Sequence, residues 1–129
     1  MDTSRKSDFD IAAMKENMAL RERAIADARH VRWEKACADL EKIVAHIIMK
    51  YKPLRVYQWG SFLDARKFTE ISDIDIALEG LADPLDGLHA IADAEEMTDI
   101  AVHIVELERI HPLHAKTIRE EGKLIYERT

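Results

Sequence analysis

The sequence predicts an α/β (α+β) fold: a small mixed β-sheet with flanking helices, preceded by a long helical N-terminal extension. Three observations lead there. Residues 1–52 contain neither Gly nor Pro, the first of each being Gly60 and Pro53, so nothing punctuates a helix before that point. Three later segments, 56–59, 72–78 and 100–107, are rich in β-branched and apolar residues at strand length. Between and after them lie two stretches with helix-start and helix-stop residues.

The elements follow in chain order. Ser7 with Asp10 resembles a capping box at a helix start. Trp33, Cys37, Leu40, Val44, Ile47 and Tyr51 recur at spacings of four and three, one apolar stripe facing a core. Upstream, Ile11, Met14, Met18 and Ile25 form a thinner stripe that Arg21 interrupts. The phase slips between Ile25 and Trp33. Two helices with a break near residues 27–30, or one bent helix, both fit. A straight helix over 8–51 would be roughly 65 Å long, more than one small domain can cover. The division expected is an extension over 1–35 and a domain over 36–129. The extension either packs on its own domain or mediates self-association or partner binding.

Pro53 ends the helix, and Val56 to Trp59 form a strand. In the strand from Ser72 to Leu78, Ile74, Ile76 and Leu78 face one side while Asp73, Asp75 and Ala77 face the other. Asp83 and Pro84 open a helix that runs to about Met97. Ile100 to Leu107 is apolar at nearly every position and is expected to be buried on both faces. His111-Pro112 begins the last helix, and Gly122 caps it. Residues 124–126 add a short edge strand. There is no internal repeat and no second globular domain.

Composition narrows the function. At 129 residues the chain is long enough for one well-formed core. Its net charge of −6 argues against a nucleic-acid backbone as the main partner. Cys37 is the only cysteine, which excludes an intrachain disulfide and a cysteine metal cluster. No apolar run is long enough to cross a membrane, and the first ten residues lack the apolar core of a signal peptide, so a cytoplasmic location is the expectation.

Asp73 and Asp75 place two carboxylates on one strand face, where they repel each other and favour a hard divalent cation such as Mg²⁺. Gly60-Ser61 supplies the complement: close backbone approach, exposed N–H groups and a hydroxyl suited to phosphate. Other candidates carry less. His111 and His114 lack a third ligand, Cys37 lies on the apolar stripe, and Glu121-Gly122-Lys123 lacks P-loop spacing.

The combination of strand, Gly-Ser, polar connector and Ser-Asp-Ile-Asp-Ile resembles the minimal nucleotidyltransferases (MNT proteins) of the DNA polymerase beta-like superfamily, often paired with HEPN-domain toxins. The matching residues are Gly60, Ser61, Asp73 and Asp75, and the likeness covers about residues 40–127. It implies a metal-dependent enzyme that moves a nucleoside monophosphate from a nucleoside triphosphate, ATP foremost, to an acceptor hydroxyl. On this likeness Asp73 and Asp75 hold Mg²⁺ or Mn²⁺, and Gly60, Ser61 and Arg66 contact phosphates. An antitoxin modifying a HEPN-type partner is the role implied. The position of the family's third carboxylate falls on His103. An imidazole there suits Mn²⁺ better than Mg²⁺, and Asp99, of the same strand parity, is the substitute if the strand extends that far. The alternative is a catalytically impaired binding module that neutralises its partner by contact.

Overall fold

The computed structural model describes residues 3–129, with side chains from Asp10 onward. Helix α1 spans Thr3–Tyr51 without a break. Strand β1 (Arg55–Gln58) follows, then a single 3₁₀ turn over Gly60–Leu63 and strand β2 (Ile74–Glu79). Helix α2 (Asp86–Met97), strand β3 (Val102–Glu106), helix α3 (Pro112–Glu121) and strand β4 (Lys123–Glu127) complete the chain. The strand order is β3-β2-β1-β4. β1 runs antiparallel to β2 and to β4, while β2 and β3 are parallel, so the sheet is mixed as expected.

The helices sandwich this sheet. One face meets α1 and α2: Ala36, Leu40, Ile43, Ile47 and Tyr51 pack with Val56, Ile74, Ile76, Leu78 and Ala90. The other face meets α3 through Tyr57, Ala77, Leu107, Ala115 and Ile118. The strict alternation of β2 is what lets one strand serve both layers. Asp93 of α2 clamps the end of α1. It accepts from Tyr51 Oη (2.6 Å), His46 Nε2 (2.8 Å) and Lys50 Nζ (3.0 Å), contacts that hold its carboxyl well below the usual range.

One open alternative is decided and three local expectations need correction. α1 is continuous through residues 27–30, because the 25–33 stretch contains no breaker and the domain braces it from one side. It also runs through Ser7, so that residue opens no helix. α2 begins at Asp86, since the Asp83 carboxylate accepts the Leu85 N–H (2.8 Å) and tightens a turn in place of a first helical turn. β3 is an edge strand and is not buried on both faces; Val105 packs partly against the α3 layer, while His103, two residues earlier on the same face, is exposed. Gly122 does cap α3, but in extended rather than left-handed conformation (φ −73°, ψ 174°). Glycine is required there because a Cβ would overlap Ile118 O and press on Gln58 O. Among the described residues no helix is long and apolar enough to cross a membrane.

Candidate active site

The candidate site lies where β1 ends and the parallel strands β2 and β3 begin. Trp59 continues β1 in extended conformation and donates its N–H to Asp75 O (3.2 Å). Gly60 then turns with φ +75°, a conformation that disfavours any side chain. The space is closed as well: a Cβ at position 60 would overlap Asp75 Oδ2 and lie 3.2 Å from its Cγ. The Gly-Ser turn and the second aspartate are therefore one packed unit. Gly60 lets the backbone lie directly against the carboxylate.

The register of β2 and β3 pairs Asp75 with His103. His103 Nδ1 stands 3.5 Å from Asp75 Oδ1, and the His103 side chain is 52% exposed against 13% for Asp75. Burial pushes the Asp75 carboxyl up to about 6; the facing His103 lowers it and the nearby Asp73 raises it further. Asp73 is half-buried, just before β2. Asp99 sits exposed in a bend three residues before β3 begins, so the strand does not extend to it. Arg66 is 91% exposed and turned back onto Asp64 (3.3 Å). Of the sequence-predicted residues, Asp75 is brought against both Gly60 and His103, with Asp73 nearby.

Several neighbours carried no signal in the sequence. The Trp59 ring lies 5.5 Å from the His103 ring and 5.3 Å from that of His114, and among the described residues its buried indole N–H finds no acceptor. A cleft of about 280 Å³ beside Gly60 is lined by Trp59, His114, Thr117 and Glu121. His111, the other histidine of that pair, caps α3 by accepting the Leu113 N–H at Nδ1 (3.1 Å). On the far side, α1 grips the connector between Ser61 and Asp73. Arg32 donates to Thr69 O and Ser72 O (both 3.2 Å), and Arg29 makes a bidentate pair with Glu70 (2.8 and 3.1 Å). Trp33 Nε1 donates to Phe62 O (3.0 Å). Only the position of Trp59 directly before Gly60 hinted at any of this. A cavity of about 570 Å³ lies elsewhere, between α1 and β4.

A divalent cation fits what is present. Among the described residues no three His, Cys, Asp or Glu side chains form a metal-holding group. Mg²⁺, however, is commonly held by one or two carboxylates with substrate phosphates and water completing its shell. Asp75, whose negative charge burial makes costly, would gain most from a cation, and Asp73 would offer a second carboxylate.

A mixed sheet with a Gly-Ser turn packed on an Asp-x-Asp strand defines a nucleotidyltransferase-type domain. Residues 41–129 match the family described as Polymerase beta, Nucleotidyltransferase, and the chain belongs to it. No curated protein matches in sequence. Among solved structures, a toxin–antitoxin crystal structure with AMP-PNP is 19% identical, with a TM-score of 0.57, covering 69% of this chain and 74% of that one. A mutant MntA–HpeT toxin–antitoxin structure, with two aspartates replaced by glutamate, is 17% identical (TM-score 0.56, 69% and 74% covered). A second MntA–HpeT mutant, with a tyrosine replaced by alanine, is 19% identical (TM-score 0.53, 69% and 73% covered). At these identities the likeness shows the fold.

Proposed function

We propose that this chain is a metal-dependent nucleotidyltransferase of the minimal type, moving a nucleoside monophosphate from a nucleoside triphosphate, ATP foremost, to a hydroxyl on a HEPN-type partner toxin. The observation that carries the reading is the packing of Gly60 against Asp75 within a polymerase beta family domain. Membership of toxin–antitoxin complexes among the fold neighbours, one of them with AMP-PNP, supports the nucleotide and the partner.

In this reading the acceptor oxygen bonds to the α-phosphorus, and pyrophosphate leaves with the electron pair of the broken P–O bond. Asp73 and Asp75 would hold Mg²⁺ or Mn²⁺, which when bound neutralises phosphate charge. The Gly60-Ser61 backbone and the Ser61 hydroxyl orient the β- and γ-phosphates, since no side chain at position 60 intervenes. Arg66 is free to swing from Asp64 to a phosphate. His103, beside Asp75 and open to solvent, takes the proton from the hydroxyl. Asp99, in a bend outside β3, takes no part in this reading.

One observation favours a second reading, an impaired module that neutralises by contact. The third polar group facing the dyad is an imidazole, which balances less cation charge than a carboxylate. Incubation with ATP, Mg²⁺ or Mn²⁺ and a HEPN-type toxin, read by intact mass, separates the two. A toxin heavier by one or more nucleoside monophosphates supports transfer. Neutralised toxin of unchanged mass contradicts it.

A further inference from the structure

The N-terminal half of α1 projects beyond the domain. From Asp10 to Ala28 every side chain is exposed, including Ile11 (50%), Met14 (62%), Met18 (56%) and Ile25 (50%). These residues, with Arg21 and Ala28, recur at alternating spacings of three and four, which is a coiled-coil seam. The helix that bears it is continuous with the half that packs on the sheet through Ala36, Leu40 and Ile43, the apolar face turning between Ile25 and Trp33. Being continuous with that packed half, it is already helical and loses little order on association.

We propose that this seam pairs with the same seam of a second copy of the chain, in antiparallel orientation. The inference rests on the helix surface alone and not on the nucleotidyltransferase reading. Three features select that occupant. Pairing Met18 with Arg21 of the copy sets Met14 against Ile25 and Ile11 against Ala28, so larger groups meet smaller or flexible ones in each layer. The same register brings Lys15 to Glu22 of the copy, twice by symmetry, whereas a parallel pair would place Arg21 against Arg21 at the centre. At the outer layer, a notch of about 310 Å³ is lined by Ile25, Ala28, Arg29, Arg32 and Glu70. It lies where the seam meets the domain and receives Ile11 of the copy. The overlap from Ile11 to Ala28 is about 27 Å of helix.

Sedimentation equilibrium of the full chain across micromolar concentrations tests this, with circular dichroism confirming unchanged helicity. Wild type is expected to show the dimer mass. Lys15→Glu and Glu22→Lys, both at exposed positions, should each weaken self-association about tenfold by setting like charges opposite one another. The double variant should restore it, because the reversed pair is again complementary only in the antiparallel register. A monomer at every concentration overturns the proposal, even one that binds a toxin. So does a dimer indifferent to the single reversals, or a double variant that stays monomeric.

Discussion

Replacing Asp75 by Asn removes a charge that the fold holds at a cost. Burial, opposed by His103 and reinforced by Asp73, moves its pKa from the usual 3.8 to about 6. With the side chain 13% exposed, a shift of that size corresponds to about 3 kcal/mol of folded-state penalty for the ionised form. The folded pKa lies above the unfolded one. The folded state therefore binds the extra proton between them, and stability is greatest below about pH 4, falling as pH rises through 6. Urea unfolding with a chelator present should find Asp75→Asn more stable than wild type at pH 7.5, by up to about 3 kcal/mol. The gap should close near pH 4. Adding Mg²⁺ should stabilise wild type and leave the variant unmoved. A pH-independent difference, or a variant less stable at pH 7.5, would refute the account of Asp75 as a carboxylate kept for a cation at the expense of stability.

Three further outcomes follow from the same contacts. Gly60→Ala forces a side chain into a left-handed backbone and onto Asp75, so thermal unfolding should show a loss of about 1–2 kcal/mol or more, with weakened nucleotide binding. Arg32→Ala takes the side-chain donor from Ser72 O and leaves Thr69 O with the Ser72 N–H alone; amide exchange over 68–73 should quicken while that of α2 does not. Histidine at 103 replaced by aspartate should tighten Mg²⁺ binding about tenfold in a calorimetric titration, because a carboxylate adds both charge and a hard ligand; unchanged affinity would remove position 103 from the cation's surroundings.

The parts of this site that were legible in the sequence are the local ones. The alternation of β2 put Asp75 and Ile76 on opposite faces, and β2–β3 pairing then set His103 against Asp75. The contact between Gly60 and Asp75 was not legible, since it depends on how a 3₁₀ turn docks on a strand fifteen residues away. Nor was the grip of Arg29 and Arg32 on the connector, which joins residues 37 to 41 apart with no periodicity to announce it. Bulk misled the reading of α1. Leu40, Val44, Ile47 and Tyr51 of the predicted stripe are buried, but Trp33 and Cys37 lie only at the core's edge, while Ala36 and Ile43, outside the stripe, are fully buried, because a small residue is what lets the helix approach the sheet. For β3, an apolar sequence suggested cover on both faces, but as an edge strand it is covered on the α3 side only in part, at Val105, and not at His103.

The central claim is that Gly60, Asp73 and Asp75 together form a cation-dependent nucleotide site. Calorimetric titration of AMP-PNP into the full chain, with Mg²⁺ and then with chelator, in wild type and Asp75→Asn, tests it most directly. The account predicts saturable binding by wild type that requires the cation and is lost in the variant. Equal binding by the two proteins, or binding indifferent to the cation, would contradict it.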